Sequence, residues 1–152
     1  MRTLAALTVF LALAGRLPVA AQDVLGVAEI GGLPGQTRDV PVTIRDLSGT
    51  LLDEGAGTNL EIQGFAFRLD FAPPEHVTAV TFVQAGVTAG HTPLFPIITP
   101  AADHIIVLMS FDEGTDPLVF TLDAPPPGNL IGALRFTLSA AAPLGTLITL
   151  TL

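Results

Sequence analysis

The chain contains no cysteine, no tryptophan, no tyrosine and no lysine. Without cysteine there is no disulfide framework, no thiol nucleophile and no cysteine-ligated zinc, so stability must come from an apolar core. Without lysine and tyrosine, Schiff-base chemistry and tyrosine acids are excluded. Sugar-stacking platforms favour Trp and Tyr, whose polar edges tolerate water, and both are missing. Positive charge is scarce too: six arginines stand against 14 acidic residues, a formal net charge of −8. Phosphate contacts need clustered basic groups, which argues against nucleic acid and anionic membrane surfaces as partners. What the chain does have is apolar residues in short alternating runs, separated by 15 glycines and 13 prolines.

The first 21 residues read as a segment apart. Arg2 supplies a short positive start, "TLAALTVFLALAG" an apolar stretch, and "LPVAAQ" a small-residue ending. This is the pattern of a secretory signal peptide, with cleavage expected after Ala21. The apolar stretch is shorter than the roughly 20 residues that span a bilayer, and no later segment is long enough to cross. The exported chain is then residues 22–152, with four arginines against 14 acidic groups and a net charge of −10. That length suits one domain with one core, placed outside the cell or on its surface.

Beyond residue 21 the periodicity is two, not 3.6. Strands are expected at 23–30, 38–46, 61–71, 75–84, 104–111, in "PLVFTL" (117–122), at 130–139 and at 146–152. Val40, Val42 and Ile44 share one face of the second. Pro41 cannot donate to a ladder, so that strand is expected at an edge or bulged. Leu130, Leu134, Phe136 and Leu138 share one side of the seventh. "LSGTLLDEGAGTNL" reads as a polar loop, and 85–103 as a Pro/Gly-rich connection. About eight strands at this spacing read as an all-β fold, a jelly-roll or immunoglobulin-like β-sandwich of eight to nine strands.

Three segments, taken in order, resemble a cohesin domain. "GLPGQTRDVPVTI" is similar to the cohesin opening, in which a Pro-Gly turn leads into a V-x-V-P-V strand. "GFAFRLDFAPPEHV" is similar to its F-x-L-x-Y-D-P strand. "PPPGNLIGALRFTLSAAAPLGTLITL" is similar to the closing pattern of turn, L-x-x-L-x-F strand, Ala-rich turn and I-x-L strand. The resemblance covers most of residues 24–152. It implies a sandwich of about nine strands, no catalytic activity, a dockerin-type protein partner bound through one sheet face, and a link to polysaccharide breakdown. Two departures stand out. The Tyr-Asp-Pro of the motif is Phe71-Ala72-Pro73 here, so the Asp that faces dockerins is replaced by Ala72. Cohesins also run on to one more strand after the I-x-L strand, so a sandwich lacking its last strand, with an open sheet edge, is expected.

Several constellations could carry function. Phe65, Phe67, Phe71, Phe82, Phe111, Phe120 and Phe136 lie on the periodic apolar faces and are expected in the core. In "HIIVLMSF", Ile105, Val107, Met109 and Phe111 fill one face while Ile106 and Leu108 lie on the other. Either the 85–103 connection covers that second face, or it is an exposed apolar patch suited to a protein partner. Arg68 and Asp70 point away from the phenylalanines of their own strand. With Ile106 and Leu108 they make up the expected binding face: polar register from the first pair, an apolar centre from the second. Asp112, Glu113 and Asp116 offer hard oxygen ligands of the kind Ca²⁺ takes, but not at EF-hand spacing. A solvated turn is therefore the reading for them and for Asp53-Glu54, with no cofactor assigned and Ca²⁺ as the one alternative. His76, His91 and His104 show no metal-ligand spacing. No G-x-S-x-G elbow or phosphate loop is present, and with 14 acidic residues a carboxylate pair alone says nothing of glycoside hydrolysis.

The sequence thus predicts a secreted, non-catalytic binding module that recognises an extracellular protein, dockerin-like or other. Direct carbohydrate binding is the first alternative. A self-associating envelope or matrix subunit is the second. A hydrolase is the third.

Overall fold

The computed structural model describes residues 24–29, 31–45, 64–111, 118–121 and 124–152. Eight strands occur among them: β1 Val24–Val27, β2 Thr37–Arg45, β3 Gly64–Ala72, β4 Val77–Gln84, β5 Ile97–Pro100, β6 His104–Ser110, β7 Asn129–Leu138 and β8 Thr149–Thr151. They form two sheets of four, in spatial order β1-β2-β7-β4 and β5-β6-β3-β8, with every pairing antiparallel. The fold is the expected all-β sandwich. The 1–21 segment, the expected loop at 47–60 and the expected acidic turn at 112–116 lie outside the described residues. No described helix is long and apolar enough to cross a membrane.

Period-two alternation builds both inner faces. Phe67, Leu69 and Phe71 of β3, Val40, Val42 and Ile44 of β2, and Ile105, Val107 and Met109 of β6 are buried, while their intervening neighbours Ala66, Arg68, Asp39, Pro41 and Ile106 are exposed. Each such side chain contributes roughly 1.5–3 kcal/mol on burial. Phenylalanines join the two sheets edge-on. Phe65 and Phe67 of β3 meet Phe82 of β4 with ring centroids 5.8 and 6.1 Å apart, and Phe71 meets Phe136 of β7 at 5.6 Å. The phenylalanines expected in the core are there, Phe65 being half-buried.

Four details differ from the sequence reading. First, of the two alternatives expected for β2 the bulge holds and the edge does not: it is an interior strand, yet it accommodates Pro41. Its carbonyl accepts from the Ala28 N–H at 3.1 Å, one residue past the end of β1, so the missing donor faces the side where the ladder stops. A bulge follows between Val42 and Thr43. Second, that bulge sets Ile131 apart from the ladder, and the partner of Leu130 becomes Thr43. Cross-strand partners share a face, so Leu130 leaves the side of Leu134 and Phe136, and Ile131 is the residue buried in the core. Third, 118–121 is not a strand. Leu118 and Phe120 are buried as alternation requires, but the backbone of Thr121 pairs with a side chain instead of a strand: Asn129 Oδ1 accepts from its N–H at 2.8 Å and Asn129 Nδ2 donates to its carbonyl at 3.0 Å. Fourth, the 85–103 connection contains β5, which pairs with β6.

Gly35 and Gly132 show the two reasons a position here requires glycine. Gly35, at φ 77°, turns the chain between β1 and β2 in the left-handed region. Gly132 lies against the Phe82 ring, where a β-carbon would overlap ring atoms. Gly132→Ala is therefore expected to destabilise by about 1–3 kcal/mol, the usual range for overpacking, read as a lower denaturation midpoint. Asn129→Ala leaves the Thr121 amide and carbonyl without their partner and is expected to cost about 1–3 kcal/mol. In the same denaturation experiment Asn129→Asp, which keeps the acceptor but sets a buried carboxylate oxygen against the Thr121 carbonyl, is expected to cost at least as much as Asn129→Ala.

Candidate functional site

The outer face of the β5-β6-β3-β8 sheet gathers all four residues expected to bind. Register does this. Arg68 pairs with Ile106 and Ala66 with Leu108 across β3 and β6, and Asp70 lies one step on, opposite His104 and Thr151. Because antiparallel partners share a face, burying the Phe/Leu side of β3 turns Arg68 and Asp70 outward. Burying Ile105, Val107 and Met109 does the same for Ile106 and Leu108.

The face has a polar half and an apolar half. Arg68 donates to Asp70 through Nη2 at 2.6 Å and through Nε at 3.1 and 3.2 Å. The Asp70 carboxylate thereby raises the Arg68 guanidinium above its ordinary value, aided by the Asp103 charge nearby. His104 Nδ1 lies 2.7 Å from Asp103 Oδ1. This hydrogen bond, then the nearby charges, holds the Asp103 carboxyl below its usual range. Two residues apart on one strand, Arg68 and Asp70 fix each other's orientation and present an arginine fork already aligned.

On the other side, Ile97 of β5 pairs with Leu108 of β6, and Ile106 follows one row away. Leu94 and Phe95 extend this edge, their N–H groups donating to the Ser110 carbonyl at 2.7 and 3.5 Å. Phe95 is 67% exposed, Leu94 56%, Ile97 50% and Ile106 38%, with Leu108 half-buried. The 85–103 segment therefore does not lie over Ile106 and Leu108. It joins the sheet edge-on and adds apolar surface to the same side. Leu94, Phe95 and Ile97 were missed as site residues because prolines 93, 96 and 100 bracket the run "LFPIITP" and mark it as a connection. The usable signal was the pair Ile97-Ile98 between those prolines.

The opposite sheet has a different outer face. Asp39 and Arg135 form a bidentate pair at 2.7 and 2.7 Å, and Thr37 bonds Thr137 at 3.1 Å. The Arg135 hydrogen bonds hold the Asp39 carboxyl below its ordinary value. Of the exposed large apolar side chains, Val24 alone belongs to that sheet, on its edge strand.

Ala72 is exposed and shares the outward parity of Arg68 and Asp70. Asp112, Glu113 and Asp116, like Asp53 and Glu54, lie outside the described residues. Among the described residues no three His, Asp or Glu side chains come together as a metal set. His76 closes a short 3-10 turn, Pro74–His76, and His104 opens β6. No protein-family model, no curated protein and no solved structure matches the chain.

A depressed Asp103 pKa carries a pH signature. Its stabilisation is present above the ordinary carboxylate pKa of about 3.9 and is lost as pH falls through the lower folded-state value. Carboxyl NMR is expected to find the Asp103 midpoint below that of an unpaired aspartate, and His104→Ala is expected to move it upward.

Proposed function

We propose that the chain is a non-catalytic, cohesin-like recognition module that binds an extracellular protein of dockerin type through the outer face of the β5-β6-β3-β8 sheet. One observation carries the reading: this face holds an apolar strip, exposed Ile97 and Ile106 with half-buried Leu108, beside a pre-aligned Arg68-Asp70 pair, while the other sheet faces outward with threonines and an ion pair. A dry centre with a polar flank is how protein interfaces divide affinity from register. The cohesin resemblance supplies the class of partner and the link to polysaccharide breakdown. The signal-peptide pattern of residues 1–21 supports an encounter outside the cell.

Calorimetric titration with purified dockerin modules tests this. Saturable binding is expected, weakened about 30-fold or more by Ile106→Glu, as for a central apolar contact, and unchanged by Thr81→Glu on the other sheet. Ala72→Asp, which restores the carboxylate of the resembled motif on this face, is expected to tighten it. Ile106 is partly exposed, so the variant keeps the fold. Binding indifferent to Ile106→Glu, or no dockerin bound at all, overturns the reading. Retention on insoluble polysaccharide without any protein partner favours direct carbohydrate binding in its place.

A further inference from the structure

The sandwich is closed along one side and open along the other. At the closed side β4 and β5 come together across the two sheets. At the open side β1 and β8 end their sheets, with no described strand beyond either. A cleft of about 820 Å³ lies there. Half-buried Val27 and Leu150 line it, and the buried core residues Val40, Leu69 and Phe136 lie beneath its floor.

We propose that this open side is a docking surface for a second copy of the chain, with the two β8 edges meeting antiparallel about a two-fold axis. Three observations choose this occupant. The first is edge chemistry. Free strand edges are ordinarily blunted by charge or proline, as β5 is by Pro100. The "TLITLTL" run of residues 146–152 carries neither charge nor proline, so the short β8 edge, Thr149–Thr151, and its flank present only threonine, leucine and isoleucine to an approaching strand. Two identical edges pair antiparallel by two-fold symmetry, each offering the other the same strand.

The second is the apolar surface beside that edge. Leu144 is 79% exposed and Leu147 85%, and Leu33 and Leu152 are also out in solvent. Leu147 and Leu152 belong to the cleft wall, and Leu144 sits between wall residues Pro143 and Gly145. The third is charge. A chain of net charge −8 repels its own copies, yet the titratable side chains lining the cleft are Glu29, Arg38 and His76. One acid and one permanent cation leave this side close to neutral, the condition a like-charged chain must meet where it touches itself. The β8 edge bounds the same sheet, with β3 between it and Ile106 on β6, so Ile106→Glu and the Leu144/Leu147 variant test the two proposals apart.

Sedimentation velocity of the full chain over roughly 1–100 µM, the range where a standard-size interface populates both states, reads the outcome. The mass is expected to double with concentration. The double variant Leu144→Glu/Leu147→Glu is expected to stay at single-copy mass while Ile106→Glu still doubles. Both leucines are largely in solvent, so circular dichroism and the melting curve should be unchanged. The absence of native cysteine allows a second readout. Leu147→Cys is expected to form an oxidised cross-linked dimer about tenfold faster than Ile106→Cys, since a shared interface raises effective concentration. A single-copy mass throughout overturns the proposal. So does association that survives the double glutamate variant, or one that Ile106→Glu abolishes.

Discussion

Edge-on contacts between phenylalanines of opposite sheets carry the structure. Phe65 and Phe67 reach Phe82, and Phe71 reaches Phe136. No covalent bridge can share that task in a chain without cysteine. A β-sheet has two faces, and these rings decide which of them is inward. Once β3 commits Phe67, Leu69 and Phe71 to the interior, the outward set of the same strand is no longer free to choose. Arg68 and Asp70 must share a face with whatever β6 turns outward, and β6, having given Ile105, Val107 and Met109 to the core, can only offer Ile106 and Leu108. This outer face is thus a by-product of core packing, and its polar and apolar halves are two strands' leftovers brought into register.

The same logic explains why the two outer faces differ. β7 alternates core residues with Arg135 and Thr137, and β2 with Asp39, so their shared surface is a lattice of hydrogen bonds. Hydrated charges and hydroxyls give up little on staying exposed. β5 and β6 expose aliphatic side chains, which water covers at a cost. One sandwich therefore shows solvent a finished side and an unfinished one.

Alternation made most of this legible beforehand. Where a strand buries one face and wets the other, as in β2, β3 and β6, every second residue announces its direction, and the four face residues followed from it. Legibility failed where the ladder is replaced or interrupted. Residues 118–121 alternate like a strand, but a single amide, that of Asn129, takes the place of a neighbouring chain. The bulge near Ile131 reverses the side on which Leu130 lies, because one inserted residue shifts a period of two by half. β5 is four residues long between prolines, too short to show a period, and the exposure of Phe95 depends on which neighbour it finds. Those are tertiary facts. The cleft is another: no local pattern says that the ends of the two sheets, at β1 and β8, leave an apolar groove between them.

The strict alternation in β3 also sets how this protein can change over evolutionary time. A substitution at Arg68 or Asp70 alters one point on the surface and leaves the interior alone, so the chemistry of that face can drift freely. Deleting or inserting one residue in β3 exchanges the two faces from that point onward, sending an arginine toward the phenylalanines and a phenylalanine into water. Lineages descended from this chain should therefore vary in the identity of their outward residues and hold the spacing between their inward ones, with length changes confined to the connections.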